Sequence, residues 1–244
     1  MAKFLVLIPA RYASSRFPGK PLAMIHNKTM IEHVINNCTK SGFDYCVVTD
    51  DERIESSIVS HGGNVVRIDD DVSTGSERIA LAYKRHFSER GYDYIINVQG
   101  DEPLLLGEII QDIGNSHKNS DFDIYTAVKK RSWNNKEKEN PNVVKCVMSP
   151  NNNQCLYFSR APIPFVKENI KIDWFQHVGV YSYRVAALMR FVQLPESFLE
   201  KSEQLEQLRA LENGLTIGAK EISVELLGVD TPEDIIKVEG VLSE

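Results

Sequence analysis

Three cations within ten residues, Arg11, Arg16 and Lys20, stand in a stretch that also holds Ala13, Ser14, Ser15 and the Pro18-Gly19 turn signal, directly after the apolar run Phe4–Ile8. Cations, hydroxyls and turn residues interleaved at the end of a buried strand suit a polyphosphate, because ligands of open α/β sheets lie beyond the carboxyl ends of the strands. Two acidic turns complete the set. Asp101 follows the apolar segment Ile95–Val98, and Asp230 follows Gly228-Val229. Each carboxylate alone is as easily a turn or capping residue. On a shared edge they offer oxygen ligands to magnesium, which binds through one or two carboxylates plus phosphate oxygens. The chemistry this predicts is metal-assisted work on a phosphate, with Arg11 and Lys20 opposite the carboxylates.

The elements that must position these residues alternate strand and helix signals, the pattern of a mostly parallel sheet between two layers of helices. Phe4–Ile8 is continuously apolar, as a strand buried on both faces must be. Met30–Lys40 has a helical period, Tyr45–Val48 is a second strand, and Glu52–Ser60 is a helix ended by Gly62-Gly63. A strand at Val65–Ile68 precedes a helix that opens at Thr74-Gly75-Ser76-Glu77-Arg78 and runs to about Phe87. Tyr94–Val98, a helix near Gly107–Asn115 and a strand near Ile124–Val128 follow. Residues 131–142 are polar and charged, as a loop would be. Asn142–Met148 and Gln154–Ser159 read as a hairpin across Pro150-Asn151-Asn152-Asn153. Ala161–Trp174, with prolines and charges, reads as a projecting lobe. His177–Tyr183 is predicted to be a strand, Val185–Val192 and Ser202–Asn213 helices, and Val224–Gly228 a last strand. Thr231-Pro232-Glu233-Asp234 is a strong helix start, with Thr231 as N-cap and Pro232 in the first turn.

With 244 residues the chain can bury one large α/β core, and the expectation is a single domain, 1–244, with a small inserted lobe around 131–183. A net charge of -6 gives no general attraction for nucleic acid or anionic lipid, so its basic residues matter by position. Cys38, Cys46, Cys146 and Cys155 form no CxxC or zinc-finger spacing and read as buried thiols in a reducing cytoplasm. The N-terminal apolar run is too short for a signal peptide, and no segment reaches the roughly 20 apolar residues of a membrane helix. A soluble, cytoplasmic protein is expected. No GxGxxG follows the first strand, which disfavours a dinucleotide oxidoreductase.

The segments PARYASSRFPGKPL, TDDERI, TGSER, NVQGDEPLL, NPNVVK, LYFSRAPIPF, HVGVYSYR, LEQLRALENG and GVDTPED come in the order seen in 3-deoxy-manno-octulosonate cytidylyltransferases, the CMP-Kdo synthetases. The chain resembles that family over nearly its whole length. The first loop, QGDEP and YFSRA are specific to this group within the sugar nucleotidyltransferases; the sister group of CMP-sialate synthetases has a different form of the loop. The resemblance implies a Rossmann-like nucleotidyltransferase sheet and a magnesium-dependent reaction of CTP with a 3-deoxy-2-ulosonic acid, Kdo first among them. The products are the CMP-sugar and pyrophosphate, for lipopolysaccharide or capsule. It implies a homodimer as well, with the 131–183 lobe serving sugar binding and dimerisation.

By the same resemblance, Arg11 and Lys20 hold and polarise the triphosphate with Arg16 beside them, and Pro9 and Ala10 give backbone contacts to the nucleotide. Asp101 and Asp230 resemble the magnesium ligands. Thr74, Gly75, Ser76 and Arg78 resemble the segment that meets cytosine and ribose. Two residues earlier the family usually carries a histidine, this chain has Val72, and no role is carried over to it. Gln99, Arg160, His177, Tyr181, Glu206 and Gln207 resemble the sugar-binding residues. Arg160 suits a carboxylate because its planar fork binds bidentately. Helix capping for Thr74, a structural role for His177 and a solvated helix face for Glu206 are the plainer alternatives. A related acid such as 8-amino-Kdo or a nonulosonate is the alternative substrate. Uridylyl or guanylyl transfer to a sugar phosphate is an alternative reaction, and a non-catalytic nucleotide- or sugar-binding protein an alternative of another class.

Overall fold

The run Phe4–Ala10 forms the strand β1, and Leu5, Val6, Leu7 and Ile8 within it are 1 % exposed or less, as a strand flanked on both sides requires. The computed structural model describes residues 2–13, 17–167 and 170–243, which fold as a mixed α/β chain divided into two compact units. The first unit comprises residues 1–114 and 225–244, the second residues 115–224.

In the first unit, β1 pairs in parallel with β4 (Asp44–Thr49) on one side and β6 (Tyr94–Asn97) on the other, and β4 pairs in parallel with β5 (Val65–Arg67). The order β6-β1-β4-β5 puts the carboxyl ends of all four strands at one edge. A small hairpin, β2 (Met24–Ile25) and β3 (Lys28–Thr29), leads into α1 (Met30–Lys40), whose first turn is closed by a reciprocal capping box between Thr29 and Glu32. The helices α2 (Glu52–Ser60), α3 (Gly75–Ala82) and α4 (Gly107–Lys118) follow β4, β5 and β6, and the division between the units falls within α4. The predicted helix from Thr74 to about Phe87 is α3 continued by a π-helical turn over Tyr83–Phe87.

The second unit contains β7 (Ile124–Arg131), β8 (Lys145–Met148), β9 (Cys155–Ser159), β10 (Trp174–Arg184), α5 (Val185–Phe191), α6 (Phe198–Glu203), α7 (Gln207–Glu212) and β11 (Ile217–Ile222). Here β11 and β7 are parallel, while β7–β10, β10–β8 and the predicted hairpin β8–β9 are antiparallel. The chain then returns to the first unit and ends in α8 (Pro232–Leu242), where Asp234 accepts from the Thr231 amide at 3.0 Å.

Two expectations are corrected here. The last strand is β11, Ile217–Ile222, and 224–228 is irregular. Its apolar residues face a different need: Leu226 and Leu227 pack with Ile25, Met30, Leu104, Val229 and Val238 of the first unit. The predicted helix Ser202–Asn213 is two helices, α6 and α7, broken where Gln204 takes a left-handed conformation with φ 52°. The buried Glu200 carboxylate holds the break by taking both Nε and Nη2 of Arg209, at 2.8 and 2.6 Å.

Candidate functional site

A left-handed turn at Gly19, φ 73°, whose amide donates to the Tyr12 carbonyl at 2.9 Å, delivers Lys20 to the carboxyl edge of the first unit. The Lys20 ammonium lies 2.5 Å from Oδ2 of Asp101 and 3.8 Å from Oδ1 of Asp230, and donates to the Val229 carbonyl at 2.8 Å. The Val229 amide in turn donates to the Asp101 carbonyl at 2.9 Å, which ties the two acidic turns together. Asp101 and Asp230 therefore both lie within reach of the one Lys20 ammonium.

Glu102, adjacent to Asp101, was not nominated by the sequence and belongs to the same cluster. Burial, then the charges of Asp101 and Asp230, push its carboxyl up to about 8, with Lys20 opposing. Its Oε2 is buried with no hydrogen-bond partner. A sequence signal existed, the doubled acid in Gly100-Asp101-Glu102-Pro103, but nothing in it says which acid faces the edge. Asp101 and Asp230, both within reach of one ammonium, offer the carboxylate oxygens that a hard divalent cation takes.

A cavity of about 370 Å³ opens beside this cluster, lined among others by Pro9, Ala10, Arg11, Lys20, Gln99 and Asp101, with Ser73 and Gly75 at the amino end of α3. Backbone amides at a helix start favour an anion there. Gly100 allows the walls to close: a Cβ on it would lie 2.8 Å from the Pro9 carbonyl. A larger cavity, about 600 Å³, opens at the opposite, amino ends of the strands beside Asp44, Asn64, Arg90 and Tyr92, and none of the nominated residues lines it.

The remaining nominated residues of this unit have more specific surroundings than their spacing indicated. Arg11 donates through Nη2 to the Val72 carbonyl, so Val72 enters this contact through its backbone. Thr74 caps α3, its Oγ1 accepting from the Glu77 amide at 3.1 Å. Ser76 is buried, and Arg78, 2 % exposed, faces inward: Nη2 lies 2.9 Å from Asp50 Oδ2 and Nη1 donates to the Ile68 carbonyl at 2.6 Å. Arg16 lies outside the described residues.

Arg160, His177, Tyr181, Glu206 and Gln207 all fall in the second unit. Arg160 donates through Nε to the Glu203 carbonyl at 2.7 Å, through Nη1 to the Pro141 carbonyl at 2.9 Å, and through Nη2 to the Gln204 carbonyl at 3.2 Å. Its own carbonyl accepts from Lys145, a fully buried lysine that also donates to the carbonyls of Asn140 and Val143 at 3.1 and 2.8 Å. The His177 ring lies 5.0 Å from that of Phe158 and 5.3 Å from that of Tyr181. Burial pushes its imidazole down to about 3 and raises the Tyr181 hydroxyl, the latter with help from Tyr183 and Glu206. Glu206 precedes α7 and Gln207 opens it, and the Gln207 Nε2 is buried without a hydrogen-bond partner. Lys145 and Thr126, which touch these residues, were not nominated, because only folding brings them there.

Comparison with known proteins places this geometry. A family model described as Cytidylyltransferase matches residues 5–222. A 3-deoxy-manno-octulosonate cytidylyltransferase of Parabacteroides distasonis is 42 % identical, covering 100 % of this chain and 99 % of the relative. That of Fusobacterium nucleatum is 41 % identical, covering 99 % and 98 %. Among solved structures, a CMP:2-keto-3-deoxy-manno-octonic acid synthetase complexed with CTP superposes with a TM-score of 0.92 at 34 % identity, covering 99 % of each chain.

Proposed function

We propose a reaction and its residues from one established point: this chain belongs to the family of 3-deoxy-manno-octulosonate cytidylyltransferases. The reaction is transfer of the cytidylyl group of CTP to the anomeric hydroxyl of a 3-deoxy-2-ulosonic acid, with Kdo as the substrate. The hydroxyl oxygen attacks the α-phosphorus in line, the bond to the β-phosphate oxygen breaks, pyrophosphate leaves with that electron pair, and the hydroxyl proton passes to solvent. Positioning and charge neutralisation carry most of such a step.

The observation behind this reading is the meeting of Lys20, Asp101 and Asp230, the first two of which line a cavity with Pro9, Ala10, Arg11, Gln99 and Gly75. Asp101 and Asp230 are the residues that would hold magnesium. Among the described residues no three histidine, cysteine, aspartate or glutamate side chains form a ready-made metal cluster, so phosphate oxygens and water would have to supply the ion's other ligands. When bound, magnesium supplies neutralisation of charge on the phosphate oxygens. Lys20 and Arg11 hold the triphosphate from the cationic side, and Arg16, outside the described residues, is nominated for the same role by sequence alone. The α3 start at Thr74, Gly75 and Ser76 borders the nucleotide, and Arg78, tied to Asp50 and Ile68, holds that start in place. In the second unit, Arg160 keeps one N–H on each terminal nitrogen for the sugar carboxylate beyond the bonds to Pro141 and Gln204. Gln207 Nε2, His177, Tyr181 and Glu206 supply polar groups for the sugar hydroxyls, and Gln99 is assigned to sugar binding by the sequence resemblance.

The protein works in the cytoplasm, where four free and buried thiols are at home, and its product feeds lipopolysaccharide or capsule synthesis. It acts as a homodimer through the 131–183 lobe, where Phe165 is 87 % exposed beside a cavity of about 390 Å³ lined by Trp133, Pro164 and Trp174. Sedimentation as a monomer at micromolar concentration contradicts the dimer. Pyrophosphate release from CTP, assayed with magnesium and a panel of sugar acids, tests the reaction. Release with Kdo and not with UTP or GTP is expected. Release with 8-amino-Kdo or a nonulosonate alone reassigns the acid, and none with any acid overturns the reaction.

A further inference from the structure

Strands β7 and β10 lose register at one point. Val178 pairs with Ala127, and the next pair is Tyr181 with Thr126, so Gly179 and Val180 are extra residues in β10. Thr126, fully buried, stands at that point, and its Oγ1 lies 2.8 Å from the Val180 carbonyl, 3.1 Å from the Val178 carbonyl and 3.1 Å from Nε2 of His177. A hydroxyl has one proton to give and two lone pairs to receive with. Carbonyls only accept, and the shortest of the three contacts is to one, so the Thr126 proton is committed to the bulge. What Thr126 then offers His177 is a lone pair, and Nε2 must carry the hydrogen. A neutral imidazole protonated at Nε2 has a bare Nδ1.

We propose that Thr126 is a positioning residue that fixes His177 as the Nε2–H tautomer, so that Nδ1 meets the sugar acid as an acceptor and selects a ligand hydroxyl there rather than a carboxylate. This rests on the reading of His177 as a sugar-binding residue. The same hydroxyl holds the two extra residues of β10, so the bulge that separates His177 from Tyr181 and the tautomer of His177 share one cause. The imidazole is neutral throughout the working range, since burial pushes it to about 3, and the tautomer, not the charge, sets what it recognises.

The test combines imidazole ¹⁵N chemical shifts of His177 with steady-state kinetics on the whole enzyme. Wild type is expected to give the Nε2–H pattern. Thr126→Val, which removes the hydroxyl and keeps the branched shape, is expected to lose the fixed pattern and raise KM for the sugar acid about tenfold, with KM for CTP unchanged; Thr126→Ser restores both. An Nδ1–H pattern in wild type overturns the proposal and needs no variant to fold. A folded Thr126→Val with unchanged sugar KM overturns it too, provided His177→Ala raises that KM. If His177→Ala leaves the sugar KM unchanged, the sugar-binding reading of His177 fails, and with it the recognition half of the proposal.

Discussion

Replacing Lys145 by methionine removes an ammonium that no solvent reaches and leaves three carbonyls, those of Asn140, Val143 and Arg160, without their donor. Hydrogen bonds from a charged donor contribute about 1.5–3 kcal/mol each. Their sum overstates the loss, because the wild type also carries the cost of burying the ammonium, several kcal/mol; burial accordingly lowers the lysine's pKa. The net expectation is destabilisation by about 3 kcal/mol, in the range of a disrupted buried polar network. With a urea m-value of about 2–3 kcal/mol/M, the unfolding midpoint drops by about 1 M. On the proposed sugar-binding role of Arg160 the effect extends to function, because the three carbonyls belong to the 140–143 turn and to Arg160, whose guanidinium holds Pro141, Glu203 and Gln204. In native buffer the variant is expected to raise KM for the sugar acid while KM for CTP stays put. Urea titration by circular dichroism and pyrophosphate-release kinetics measure the two effects. A midpoint shift below about 0.3 M, or equal changes in both KM values, refutes the reasoning.

Asp101→Asn, at a residue proposed to hold magnesium, is expected to lower turnover by about 10²–10³ with the fold intact; near-normal pyrophosphate release removes the metal role. Gly100→Ala places a methyl 2.8 Å from the Pro9 carbonyl, and the resulting backbone shift is expected to cost about 1–3 kcal/mol and weaken CTP binding in a calorimetric titration. Unaltered affinity shows that the wall gives way freely. His117, fully buried against Ser182 and the Phe122 carbonyl, is pushed down to about 4 chiefly by burial. Between pH 6.5 and 4 the unfolded chain therefore binds the extra proton. Its contribution to stability is complete above about 6.5 and is lost at about 1.4 kcal/mol per pH unit as pH falls to 4. Urea midpoints from pH 7 to pH 4 should show a slope that His117→Gln reduces; an identical slope in the variant contradicts the assignment.

The alternation of strands and helices was legible because burial on both faces leaves continuous apolar runs, as in β1 and β6, and because caps such as Thr74 with Glu77 leave a local signature. The shared edge of Lys20, Asp101 and Asp230 was legible for the same reason: each follows an apolar segment or turn that ends there. What stayed hidden is tertiary in origin. Strand β11 contains Gly218, where a Cβ would lie 2.3 Å from the Phe122 ring, followed by the small Ala219, and so lacks the apolar run that would announce it. The true apolar run, at 224–228, answers to a core beside α8. The break at Gln204 depends on Arg209 reaching Glu200, a side-chain event that no helical period encodes. Lys145 and Thr126 look like an ordinary charge and an ordinary strand residue until their carbonyl partners are known.

Lys20 finds its partners at Asp101 and Val229, 81 and 209 residues further along the chain. A nascent polypeptide on the ribosome can lay down β1, β4, β5 and β6 early, yet the edge that carries Lys20 stays half-built until 225–243 has been synthesised and has returned to the first unit. A chain cut short before that point keeps the cationic loop and Asp101 without the turn that completes them.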